Sequence, residues 1–117
     1  MNALITYNTY QLKAYITLLD KNNGRTKPIV SGYRPTFSFN TKNLFSGEIN
    51  LQETTSLLPS QSTYAFINLL PAKTIPNNLK IGDSFTMYEG KKIIGMGIIV
   101  DKLHKQEVAE ENIFSKL

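Results

Sequence analysis

Apolar and polar residues alternate along most of this 117-residue chain, the period of two that marks half-buried β-strands. Between Lys13 and Leu19, Ala14, Ile16 and Leu18 share one face and Tyr15 and Thr17 the other. Asp20-Lys21-Asn22-Asn23-Gly24-Arg25 is dense in turn formers. A short extended piece follows at Pro28 to Val30. In the next block, Arg34 to Asn40, Phe37 and Phe39 alternate with Thr36 and Ser38. Gly47 to Leu51 reads as a strand with Ile49 and Leu51 inward, and the polar run Gln52 to Gln61 as a loop. Tyr64 to Leu70 is a strand closed by Pro71, and Pro76-Asn77-Asn78 and Gly82-Asp83 mark turns. Ser84 to Tyr88 and Lys91 to Leu103 form a hairpin around Glu89-Gly90. In its second arm, Ile94, Met96, Ile98 and Val100 are expected to point one way, with Gly95 and Gly97 on the opposite face. Glycine weakens a strand, so this spaced pair signals a close backbone approach, by another strand or by a ligand.

Several short strands at this spacing predict an all-β sandwich or closed barrel. The tail from Lys105 to Leu117 changes period. Ala109, Ile113 and Leu117 recur every fourth residue, with Phe114 beside them, which predicts a short amphipathic helix. That helix would pack on the barrel edge or its open end, bind a partner, or fray as a tail. The expected organisation is one domain over residues 1–117, with the barrel at about 12–103 and the tail at 105–117.

Composition narrows the chemistry. Apolar residues make up 41% and charged residues 19%, an ordinary globular balance. The absence of cysteine removes disulfides, thiolate metal sites and cysteine nucleophiles together. The start, Met1 to Tyr7, has no basic segment followed by an apolar run, so no signal peptide is expected. No apolar stretch approaches the ~20 residues needed to cross a bilayer, and a cytoplasmic protein is the expectation. The formal net charge is +4. Lys13, Lys21, Arg25, Lys27 and Arg34 crowd the first third, opposed only by Asp20, and Lys91 and Lys92 form a second focus. Such a bias attracts polyanions; a solvated surface with a small positive excess is the plainer alternative.

Catalytic chemistry is poorly supplied. There is no Gly-x-x-x-x-Gly-Lys-Ser/Thr loop, so no nucleotide cofactor is expected. His104 is the one histidine, which leaves histidine metal sites and Ser-His-Asp triads without support. Glu110 and Glu111 are adjacent and would not face each other on a helix. No enzyme activity, metal or cofactor is expected.

The blocks Gly32-Tyr33-Arg34-Pro35-Thr36-Phe37-Ser38-Phe39 and Glu89-Gly90-Lys91-Lys92-Ile93-Ile94-Gly95-Met96-Gly97-Ile98-Ile99-Val100 resemble, in this order, the C-terminal β-barrel (domain III) of elongation factor Tu and related translational GTPases. The likeness runs from near Leu12 to about Val100. It includes the Lys13 to Leu18 strand, Gly24-Arg25, Pro28, the segment from Thr41 to Gly47, and Pro59. It departs from the family where Thr36 stands in place of the usual glutamine, in the altered Thr41 to Gly47 stretch, and at Leu58-Pro59-Ser60-Gln61. The resemblance implies a six-stranded antiparallel Greek-key β-barrel, here expected as a stand-alone domain.

It also implies a surface that holds the T-stem of aminoacyl-tRNA, with Arg34, Lys92 and Gly95 as the positions carried over. The residues themselves add neighbours. Arg34 precedes Pro35 and is held extended, and its planar guanidinium can bridge a carboxylate or phosphate. A structural ion pair, or a stack on Tyr33, is the alternative. Lys91 and Lys92 beside the hairpin turn reach solvent, and Arg25 belongs to the basic focus. Arg34, Lys91, Lys92, Gly95, Tyr33 and Arg25 are therefore the candidate binding residues. Two functions fit. One is a non-catalytic module holding RNA (tRNA-like) or a translation-associated protein. The other is a decoy or immunity protein neutralising a toxin that docks on elongation factor Tu. Oligomeric state is left open by the sequence, as is self-association through an edge strand or the tail.

Overall fold

In the computed structural model, residues 6–39, 43–72 and 78–109 are described. Every regular element among them is a strand: β1 Thr6–Leu18, β2 Ile29–Val30, β3 Thr36–Ser38, β4 Phe45–Leu51, β5 Ser56–Leu57, β6 Ser62–Ala72, β7 Ser84–Glu89 and β8 Lys92–Ala109. Six of them close into a barrel in the order β1-β6-β4-β3-β7-β8, all neighbours antiparallel. The consecutive barrel strands β3, β4 and β6 are neighbours, and β1 returns beside β6, which is the Greek-key arrangement. Closure removes the sheet edges that would otherwise invite pairing with other chains. β2 and β5 form a separate two-stranded sheet that adds Ile29 and Leu57 to the core. The Gln52 to Gln61 segment thus contains a strand where the polar run predicts only a loop. Leu57 alone in that run is buried, and pairing with Ile29 supplies what local pattern does not.

The alternation seen in the sequence selects the barrel interior. Leu12, Ala14, Ile16 and Leu18 of β1 point inward with Ala65, Ile67 and Leu69 of β6 and Ile49 of β4. At their centre Phe37, Phe39, Phe45 and Phe85 pack ring on ring. The Phe37–Phe85 and Phe39–Phe85 centroids lie 5.7 and 5.5 Å apart, spacings that add to the area these rings bury.

β8 does not keep Ile94, Met96, Ile98 and Val100 on one face as expected: Ile94 is buried while Met96 and Ile98 are exposed. Gly95, Gly97 and Ile99 point into the barrel, while Met96 and Ile98 stand on the outer wall. A small barrel has a fixed interior, and Phe85 and Met87 of the paired strand already fill it. A Cβ at Gly97 would sit 2.2 Å from the Phe85 ring, and one at Gly95 would sit 2.6 Å from Met87 Cε. The close approach signalled by the glycine pair is therefore made within the protein, by the Phe85 and Met87 side chains and, at Gly95, by the Thr17 carbonyl of β1, 2.6 Å from the missing Cβ. A register shift between Met87 and Tyr88 lets Ile94, one position earlier, be buried as well.

Two further boundaries move. Pro71 lies within β6 rather than ending it, at the register shift opposite Asn8 and Tyr10. An irregularity is where a strand tolerates a residue without an N–H. The helix expected from Lys105 is not formed at its start: Lys105 to Ala109 continue β8 and pair with β1 down to Thr6. Cross-strand pairing to β1 sets this stretch. The rest of that expected helix, 110–117, lies outside the described residues, as do Thr41 and the Pro76-Asn77 part of the expected turn.

Candidate nucleic-acid interface

The loop from Asp20 to Gly24 positions the first cation. The Asp20 carboxylate accepts the backbone N–H of Asn22 and Asn23 at 2.9 and 3.0 Å and the Asn23 side-chain amide at 2.9 Å. These bonds, the Asn23 amide first, hold the Asp20 carboxyl below its usual range. The loop ends at Gly24, whose missing Cβ would lie 2.9 Å from Leu19 Cβ and 3.3 Å from the Ile94 carbonyl. Glycine is required there by this close packing, and it delivers Arg25 beside the β7–β8 hairpin.

The hairpin supplies the second half. Glu89 and Lys92 are cross-strand partners, joined by Gly90-Lys91. Gly90 takes a φ of +61°, the positive value that a two-residue hairpin loop demands at its first position. The Glu89 carboxylate is a hub. Its Oε1 accepts hydrogen bonds from Arg25 Nη1 and, at 2.5 Å, from the Tyr33 hydroxyl. The Arg25 guanidinium also lies 4.7 Å from the Tyr33 ring centroid and donates to the Lys27 and Pro28 carbonyls at 3.2 and 3.4 Å. Cation–π contact and ion pair thus act on one side chain. Burial raises the Tyr33 hydroxyl to about 12, helped by its bond to Glu89 and by that residue's charge. The Tyr33 hydrogen bond, followed by Arg25, holds the Glu89 carboxyl below its usual range.

Around this hub Gly24, Arg25, Thr26, Lys27, Glu89 and Lys92 line a concavity of about 440 Å³. Among the described residues, Lys27 and Lys92 border it as cations outside any ion pair, beside the Arg25–Glu89 pair, and the Glu89 Oε2 takes no bond.

Of the residues singled out from sequence, Arg25, Tyr33 and Lys92 come together here. Lys91 is exposed at the hairpin tip. Arg34 leaves separately, with Nε and Nη2 3.3 and 3.2 Å from Glu48 Oε2, and it is Arg25 rather than Arg34 that stacks on Tyr33. Gly95 is buried in the wall. Glu89 and Lys27 were not singled out. The Glu89–Arg25 pair spans 64 residues of sequence, and the only local signal at Glu89 is the glycine that follows it. Among the described residues no cluster of His, Cys, Asp or Glu could hold a metal, and no helix is long and apolar enough to cross a membrane.

No family model matches the chain. Against curated proteins, it is similar to the apicoplast elongation factor Tu of Theileria parva, 34% identical over 103 residues. The match covers 81% of this chain and 24% of the relative, so the chain spans about a quarter of that protein's length. Likeness over most of the chain, together with a closed six-stranded antiparallel barrel, identifies this chain as an elongation factor Tu domain III-like β-barrel.

Proposed function

We propose that this barrel is a non-catalytic binding module of the translation apparatus that holds the backbone of a helical, tRNA-like RNA at the rim formed by Arg25, Lys27, Glu89 and Lys92. The observation carrying this reading is the concavity bordered by Lys27 and Lys92 beside the Arg25–Glu89 pair, whose carboxylate keeps one oxygen unbonded. Cations supply sequence-independent affinity for phosphates. A carboxylate among them accepts from a ribose 2′-hydroxyl, the group that separates RNA from DNA. Lys91 at the hairpin tip extends this rim as a secondary contact, Arg34 is held apart by Glu48, and Gly95 contributes through the packing that sets the hairpin.

The test is a titration with duplex RNA and with DNA of the same sequence at several salt concentrations. With about three phosphates neutralised, log affinity falls against log salt with a slope of about −2 to −3. Lys92→Ala should flatten that slope by about one unit, and Glu89→Gln should narrow the preference for RNA over DNA. No binding at low salt sinks the RNA reading. Recovery of a stoichiometric protein in place of nucleic acid, on purification from the native cell, would favour the decoy or immunity function instead.

A further inference from the structure

The loop that delivers Arg25 contains Asn23-Gly24, and of all the asparagines in the chain Asn23 alone precedes a glycine. That pairing invites self-modification. With no Cβ on the following residue, its backbone nitrogen is free to close on the asparagine side chain. Asn23 is exposed, yet the folded loop occupies both groups that would react. The Gly24 nitrogen donates to the Asp20 carbonyl at 2.8 Å. The Asn23 side-chain amide donates to both oxygens of the Asp20 carboxylate, at 3.2 and 2.9 Å.

We infer that Asn23 is a deamidation site held in check by Asp20, and that its modification opens the loop bearing Arg25 and Lys27. When the loop opens, the Gly24 nitrogen gives its proton to solvent base and attacks Asn23 Cγ. The N–Cγ bond forms, the Cγ–Nδ2 bond breaks, and Nδ2 leaves as ammonia with a proton from water. Water then opens the cyclic imide at either carbonyl, leaving aspartate or isoaspartate at this position. Nothing is oxidised or reduced, and water is the only co-reactant. The product no longer fits the loop. A carboxylate replaces the amide donor and faces the Asp20 carboxylate, where acceptors of like charge repel. Isoaspartate also inserts a methylene into the main chain just before Gly24. That site has no slack, because a Cβ there would lie 2.9 Å from Leu19 Cβ. The effect on the rim rests on the RNA reading above; the modification itself does not.

The full chain is incubated in warm, mildly alkaline buffer, folded and in urea, and peptide mass mapping follows Asn23 against the other asparagines. Asn23 should convert first, and about fivefold or more slowly in the folded chain than in urea. Asp20→Ala should raise the folded rate at Asn23 by a similar factor. Equal rates folded and in urea, or in Asp20→Ala and the parent, overturn the restraint. So does a rise at every asparagine alike, which reports global unfolding of the variant. Conversion of other asparagines ahead of Asn23 in urea overturns the site. Asn23→Asp stands in for the product. Trypsin should cut it after Lys21 and Arg25 about fivefold or more faster than the parent, and cleavage at the parent's rate overturns the release of the loop. Asn23→Asp should also bind duplex RNA about threefold or more weakly, and equal affinity overturns the coupling to the rim. Failure of the parent to bind RNA removes the rim alone, since deamidation and cleavage are read on the free chain.

Discussion

Glu89 and Gly97 are the two residues at which single atoms decide most. Glu89 is half-exposed, so its pair with Arg25 contributes at most about 1 kcal/mol; its larger effect is to aim Arg25 and fix Tyr33. Its carboxyl is depressed below the unfolded value of about 4.3. The stabilisation it gives is therefore complete above that value and lost as pH falls through the folded one. Tyr33 has the opposite sign. Its hydroxyl is raised from about 10 to about 12, so its contribution is complete below about pH 10 and lost as pH climbs towards 12. Thermal melting against pH should show both limbs in the parent. Tyr33→Phe should shrink the alkaline limb, leaving the part owed to Tyr10, whose hydroxyl is also raised by burial; an unchanged limb would show that Tyr33 does not contribute. Gly97 has no such freedom. Gly97→Ala should cost about 1–3 kcal/mol by overpacking, read as a lower urea midpoint. Combined with Phe85→Leu, which takes away the ring it strikes, the loss should be less than the sum.

At the scale of elements, the β7–β8 hairpin joins the core to the site. Its inner face carries Phe85, Met87, Gly95 and Gly97, and its tip carries Glu89, Lys91 and Lys92. The positive φ at Gly90 is tolerated by glycine and resisted by any L residue with a Cβ. Gly90→Ala should destabilise the fold by about 1 kcal/mol. It should also weaken RNA binding more than Lys91→Ala does, because it displaces Glu89 and Lys92 together. A Gly90→Ala protein with unchanged affinity would show that the tip does not position the rim. β8 also shows how far a strand is legible from its own residues. Alternation from Lys92 to Val100 announces a strand, but the pattern does not say which face is inside. Both faces carry residues that could serve as core, Ile and Met on one and small glycines on the other. Only Phe85 and Met87 across the ladder show that the glycine side is the filled one. Lys105 to Ala109 make the same point, with a helical period overridden by pairing to β1.

At the scale of the molecule, the sequence shows two separate basic stretches, one in the first third and one at Lys91-Lys92. Folding joins them by bringing Arg25 and Lys27 from one loop to Lys92 from another. Binding driven by this concentration of charge should vanish at high salt, whereas an apolar protein interface on the outer wall should persist or tighten. A pull-down of RNA and protein ligands at low and high salt separates the two. The site was legible in part for the same reason. Arg25, Tyr33 and Lys92 stand in conspicuous local blocks, while Glu89 gains its meaning from Arg25 and Tyr33, 64 and 56 residues away.

The sequence by itself determined the architecture. A period of two broken by turn residues can bury its apolar face only against other strands, and the blocks around Tyr33-Arg34-Pro35 and Gly95-Met96-Gly97 mark which kind of barrel results. It also removed cysteine chemistry and the phosphate-binding loop outright, since absent residues need no fold to be absent. Tertiary structure decided which face of β8 is inside, which arginine stacks on Tyr33, and where Lys105 to Ala109 run. Each of these depends on a partner far away in sequence: a filled interior, a carboxylate 64 residues distant, or a strand from the other end of the chain. Local pattern records a residue's preference, and the partner that satisfies it is chosen only when the barrel closes.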